Sequence, residues 1–219
     1  LGKMQLSLLI WVLLGVMGLA FHLGRRRALA TVGGRPGTRN LHSLPAYYGF
    51  YAALWAGLPA LVIAAHWVFF EGSIITVMVV ESLPVEMREL PPDRLGLLVN
   101  DITNLANGNI VSGDVDRAMQ RAADHMNELR SIGKIALAVV VLSIALAGGS
   151  LAWRAIRPRM RARNRVELIV TGLLIVSSLI AILTTVGIVL SVLFESFLFF
   201  QKISITDFLF GLEIGRAHV

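Results

Sequence analysis

The sequence predicts an all-α membrane protein with about four transmembrane helices and an extracytoplasmic helical hairpin. Three observations carry that prediction. Of 219 residues, 56% are apolar and only 16% charged, with a mean hydropathy of +0.72. The apolar residues gather in four long runs, and the segments between the runs are basic, then acidic, then basic. A soluble domain of this length would be about half apolar and about a quarter charged.

The first run, Met4 to Leu23, is long enough to cross a ~30 Å hydrocarbon core at ~1.5 Å per residue. A signal peptide places its positive charges before a shorter apolar core. Here Arg25, Arg26 and Arg27 follow the run, so it reads as a retained helix. The second run, about Tyr48 to Phe70, has Tyr47, Tyr48 and Tyr51 at one end and Trp67 near the other, an arrangement suited to the two interfaces. Pro59 inside it should kink the helix by removing one backbone hydrogen bond.

Between the second and third runs the pattern changes to two amphipathic helices of opposed direction. Pro91, Pro92 and Asp93 open the first, and Leu95, Leu98, Val99, Ile102 and Leu105 recur at helical spacing until Asn107, Gly108 and Asn109. Ser112 or Asp114 can cap the second, where Val115, Met119, Ala122, Met126 and Leu129 form the stripe before the helix enters the third span. Those stripes need partners, and they are expected to pack on each other. The stretch Ile74 to Val80 fits either a strand or a continuation of the second span. The third run is Ile135 to Trp153. The fourth, near Leu168 to Phe200, exceeds one straight span, so it either tilts and projects or ends near Glu195.

Orientation follows from charge. Arg25, Arg26, Arg27, Arg35 and Arg39 lie between runs one and two with no acid, and Arg154, Arg157, Arg159, Arg161, Arg163 and Arg165 lie between runs three and four. The segment from Glu71 to Gly133 carries ten acids against five arginines. By the positive-inside rule both arginine loops are cytoplasmic and the acidic segment is external. The overall charge of +6 and pI near 10.5 are thus a topology signal, and no nucleic-acid partner is expected. The topology-determining set is Arg25, Arg26, Arg27, Arg154, Arg157, Arg159, Arg161, Arg163 and Arg165. The second loop can also hold anionic lipid head groups, at ~1 kcal/mol per basic residue.

The residues offer little chemistry. With no cysteine, thiolate nucleophiles and cysteine-ligated metals are excluded. His22, His42, His66, His125 and His218 lack ligand spacing, so no metal site, catalytic residue or cofactor is predicted. No phosphate-binding loop of the GxxxxGK[ST] type is present, so any ATP hydrolysis belongs to another chain. Glu195 reads as a solvated carboxylate at a span end. Ser177, Ser178, Thr184, Thr185, Gly187 and Ser191 are small or hydroxylated residues that favour close helix packing in lipid.

LHSLPAYYGFYAALWAGLPAL (Leu41 to Leu61) resembles the amino-terminal region of PstC-type permease subunits of phosphate-import ABC transporters, in the longer form common in Gram-negative bacteria. The stretch from Arg163 to Phe200 is similar to that family's entry into the permease core. ISITDFLFGL (Ile203 to Leu212) is similar to the segment just outside the first core helix. LLVNDITNLANGNIVSG (Leu97 to Gly113) matches as well.

The resemblance implies a multi-pass protein of the bacterial inner membrane. It would work with a second permease subunit, a separate ATP-binding subunit and an extracytoplasmic phosphate-binding protein, in the lipid bilayer. It implies no enzyme activity of the chain's own, and leaves substrate-binding residues unassigned, since no docking motif for the ATPase occurs here. The organisation expected is residues 1–70, two spans and a basic loop; 71–133, the external helical segment; 134–166, the third span and second basic loop; and 167–212, the first core helix. The ending IGRAHV resembles a translated sequencing adapter, so residues 213–219 are expected to be a foreign tail on a permease fragment that is inactive alone. The rival reading is a membrane sensor whose external helices report a ligand inward.

Overall fold

Apolar runs in lipid satisfy their backbone hydrogen bonds internally, and here they do so as four long helices. The computed structural model describes residues 2–109, 116–203 and 208, with side chains from Ser7 onward. Helix α1 spans Gly2–Ala30, α2 Pro45–Ser82, α3 Val85–Arg88, α4 Pro92–Ala106, α5 Arg117–Ala155 and α6 Ala162–Lys202, with a 3-10 turn at Arg35–Asn40. Among the described residues there is no strand. Helices α1, α2, α5 and α6 are each long and apolar enough to cross a membrane. The expected caps Ser112 and Asp114, most of the ISITDFLFGL stretch and residues 213–219 lie outside the described residues.

Local chemistry sets the helix ends. Helix α1 stops where Gly33 and Gly34 take φ of +78° and +93°, backbone that a side chain disfavours, and the Gly34 amide donates to the Leu29 carbonyl at 2.9 Å. Pro45 opens α2 at a position that needs no amide proton. Asp116 caps α5, its carboxylate accepting from the Arg117 amide at 2.6 Å.

Helices α1, α2 and α5 pack together. Their contacts run in opposite order along neighbouring chains: Met17 lies at Gly57 and Phe21 at Gly49, while Trp67 lies at Gly133 and Trp55 at Gly148. Both α1 and α5 are therefore antiparallel to α2. Small residues allow the approach. Ala52, Ala56 and Ala60 recur every fourth residue on α2 and are buried, as are Ala145 and Ala152 of α5. A Cβ on Gly148 would overlap the backbone carbonyl of Trp55. Leu13, Leu137 and Val141 fill the middle of this seam.

At the end away from the arginine loops, α2 continues as helix through Ile74 to Val80, which settles the strand alternative. Ile75, Val79 and Leu83 of α2 join Ile102 of α4 and Ala122, Ala123 and Met126 of α5 in one cluster, flanked by Leu98, Leu105 and Leu129. The two stripes do share a core, and the last turns of α2 form its third wall. Ile102 of α4 shares the cluster with Ala122, Ala123 and Met126, while Ala106 and Asn107, ending α4, lie beside Asn127 and Arg130. Helices α4 and α5 therefore advance in the same direction rather than the opposed one expected, and the connection between them returns to the start of α5.

The chain divides into two compact units, residues 1–166 and 167–219. The second consists mainly of α6 from Glu167 onward. The helix runs without a break past Glu195 to Lys202, so it does not end at that carboxylate. Beyond Val166 none of its described side chains is buried.

Candidate functional site

The sequence points to the arginines, and the structure gathers the two basic loops of the first unit at one end of the bundle. Arg25, Arg26 and Arg27 occupy the last turns of α1, and Arg35 and Arg39 the 3-10 turn. Arg154 sits in the last turn of α5, a position favoured by the negative end of the helix dipole. Arg157, Arg159 and Arg161 line the connector, and Arg163 and Arg165 begin α6. All of these except Arg27 are exposed, which lets ten like charges stay hydrated.

What joins the loops is neutral. Tyr48 is fully buried, and its one hydroxyl proton is shared between the carbonyls of Pro158 at 3.1 Å and Met160 at 3.0 Å. The Pro158 carbonyl also accepts from the His42 amide at 3.1 Å. The Arg163 amide donates to the Ser43 hydroxyl at 3.2 Å. Beneath these bonds, Ala28, Tyr48, Ile156 and Ala162 form a small apolar core. A buried hydroxyl needs a partner, and a net ~0.5 to 1.5 kcal/mol per bond is typical. Two loops more than a hundred residues apart in sequence thus become one cap.

Aromatic rings steer two of the cations. The Arg27 guanidinium lies 4.6 Å from the centre of the Trp153 ring, and its Nε is buried without a hydrogen-bond partner. Arg165 lies 5.8 Å from the Tyr51 ring centre and donates from Nη1 to the Tyr51 hydroxyl at 3.3 Å. Tyr48 and Tyr51, expected at a membrane interface, also fasten the cap. Trp67, likewise expected at an interface, packs between helices against Gly133, because α2 extends 15 residues past it. The hydrogen-bonding partners Ser43, Pro158 and Met160 carry no sequence signal of their own. The Pro45 to Tyr51 cluster of tyrosines was the available clue.

Other candidates do not converge. His125 lies 3.8 Å from Glu128, and the His66 and Phe70 rings lie 4.6 Å apart, tilted by 47°. Among the described residues no group of three His, Cys, Asp or Glu side chains is placed to hold a metal. The cap can present positive charge and hydrogen-bond donors at the depth of lipid head groups.

A family model described as phosphate ATP-binding cassette transporter matches residues 8–184, which include the eleven arginines of the two loops, most of α1 and the whole of α2 and α5. The chain belongs to that family. No curated protein and no solved structure matches it. Membership makes this a membrane protein linked to phosphate transport, and it places both arginine loops within the family's shared sequence.

Proposed function

We propose that this chain is a PstC-type membrane permease subunit of an ATP-driven phosphate importer in the bacterial inner membrane, with the arginine cap in the cytoplasm. The observation that supports it most is the family match, which runs from α1 through both loops into α6. Sidedness rests on the charge contrast between the cap and the acidic far end, together with the positive-inside rule. In this reading residues 1–166 anchor and orient the subunit, and residues 167–212 begin the translocation core. A polar solute needs a path lined by polar groups or water. The four spans offer mainly apolar surface and scattered hydroxyls, so phosphate movement requires a second permease subunit. A separate ATP-binding subunit supplies energy, and an extracytoplasmic binding protein delivers phosphate.

The test is co-purification and uptake in cells lacking phosphate import. Tagged chain should retain the second permease subunit when the two are co-expressed, and by itself should restore no uptake. Uptake by this chain alone, or failure to retain the second permease subunit, contradicts the proposal. The second of these results, with a ligand-dependent change in the external helices, would favour a sensor.

A further inference from the structure

At the end of the bundle opposite the arginines, α2, α4 and α5 enclose a cleft of about 850 Å³. We propose that this cleft binds a phosphate group through Arg130 and Lys134. The inference rests on the cleft itself and stands apart from the permease reading.

The volume lies within the ~300 to 1,000 Å³ typical of small-molecule sites. Arg130 and Lys134 stand one helical turn apart on α5, so both reach the same wall of the cleft. Both are half-buried, which shields their charge from solvent less completely than deep burial yet more than an open surface does. Arg130 donates from Nη1 to Asn107 Oδ1 at 2.9 Å, a bond that holds the guanidinium at the rim formed by the end of α4. Asn127 Nδ2 donates to the Ala106 carbonyl at 3.0 Å and pins that rim to α5. Thr76 adds a hydroxyl to the lining, whereas that of Thr103 donates back to the Val99 carbonyl at 2.8 Å.

Charge favours an anion locally. Glu71 is the sole carboxylate among the lining residues, and it forms no ion pair with Arg130 or Lys134. Two cations against one carboxylate leave a surplus of one positive charge in a segment that is otherwise acidic. The other acids of α4 and α5 do not line the cleft. Depth narrows the ligand. Glu71 directly follows one apolar run and Lys134 directly precedes the next, so the cleft opens where the phosphates of lipid head groups lie. A phosphodiester head group and free inorganic phosphate share the required chemistry: tetrahedral oxyanion, acceptors for a guanidinium and an ammonium.

The experiment uses the purified chain in a neutral detergent. Phosphatidylglycerol retention is read by native mass spectrometry against diacylglycerol, and inorganic phosphate binding by equilibrium dialysis with radiolabel. The wild-type chain should bind one of the two. Arg130→Gln with Lys134→Gln should weaken that binding by about tenfold or more, since two charge-assisted contacts are lost. Lys134→Arg should retain it, and Glu71→Gln should tighten it by removing the opposing charge. Helical circular dichroism and an unchanged proteolysis pattern confirm that each variant is folded. If the double variant fails to fold, Glu71→Gln alone decides the matter: unchanged or weaker binding overturns the proposal. Binding of neither probe by the wild type, or equal binding by the folded double variant, overturns it as well. Retained phosphatidylglycerol identifies a lipid site, and bound inorganic phosphate a solute site.

Discussion

Helices α5 and α6 are of nearly equal length, 39 and 41 residues, and both carry small residues along apolar faces, yet they use them differently. On α5, Gly148 has the Trp55 backbone where its Cβ would be, and Ala145 and Ala152 are buried. On α6, Gly172 and Gly187 have nothing within 4 Å of a Cβ, and the Thr184 and Thr185 hydroxyls donate back to the carbonyls of Ile180 and Ala181. The same alphabet lies against neighbours in α5, and within its own unit α6 offers it none. Apolarity therefore does not distinguish a helix packed within its own unit from one that is not. In water this contrast would be a cost. In lipid it is tolerated, because hydrocarbon covers an apolar helix as well as another helix does, and only close packing or hydrogen bonding favours association.

Substitutions in the first unit should be expensive and those in the second nearly silent. Ile102→Asp should have the largest effect. It removes a fully buried side chain, for which truncation alone costs ~2 to 5 kcal/mol, and leaves a carboxylate without a partner among α2, α4 and α5. Limited proteolysis should cut residues 92–130 faster; unchanged resistance would mean the three-walled cluster is not a core. Gly148→Leu comes next, at ~1 to 3 kcal/mol or more for overpacking against a backbone that cannot rotate aside. Thermal unfolding in detergent reads it. Gly187→Leu, in the same assay, should change stability by less than ~0.5 kcal/mol. Equal effects at the two glycines would erase the comparison. Tyr48→Phe is the finest probe. Losing one hydroxyl that serves two carbonyls should cost about 1 kcal/mol and speed hydrogen exchange in the first loop and in residues 156–162, with the far end unchanged.

How far the sequence reached follows from the range of the forces involved. Spans, amphipathic stripes and charge alternation are local patterns, and α1, α2, α5 and α6 appear where the apolar runs are. The extension of α2 past Phe70 was obscured by Glu71 and Glu81, because charges that end an apolar run do not end a helix. The cap was invisible for another reason. It depends on a hydroxyl at Tyr48 meeting carbonyls at Pro158 and Met160, and carbonyls are present at every residue. Aromatic residues near a span end have two uses, head-group contact and internal fastening. Only the packing of Ala28, Ile156 and Ala162 around Tyr48 selects the second. The cleft at Arg130 and Lys134 had no motif at all, since its walls come from three helices.

In the proposed orientation the two ends of the first unit face opposite sides of the membrane, with both arginine loops in the cytoplasm. The chain has no native cysteine, so single introduced thiols can be read without background. Asn40, Asn109 and Asn164 are exposed and suit the purpose, whereas Ala162 is fully buried and could not report. In intact cells, a membrane-impermeant thiol reagent should modify Asn109→Cys and spare Asn40→Cys and Asn164→Cys until the membrane is opened. Labelling of Asn164→Cys from outside, or protection of Asn109→Cys with both loops reacting, would contradict the orientation and the permease reading built on it.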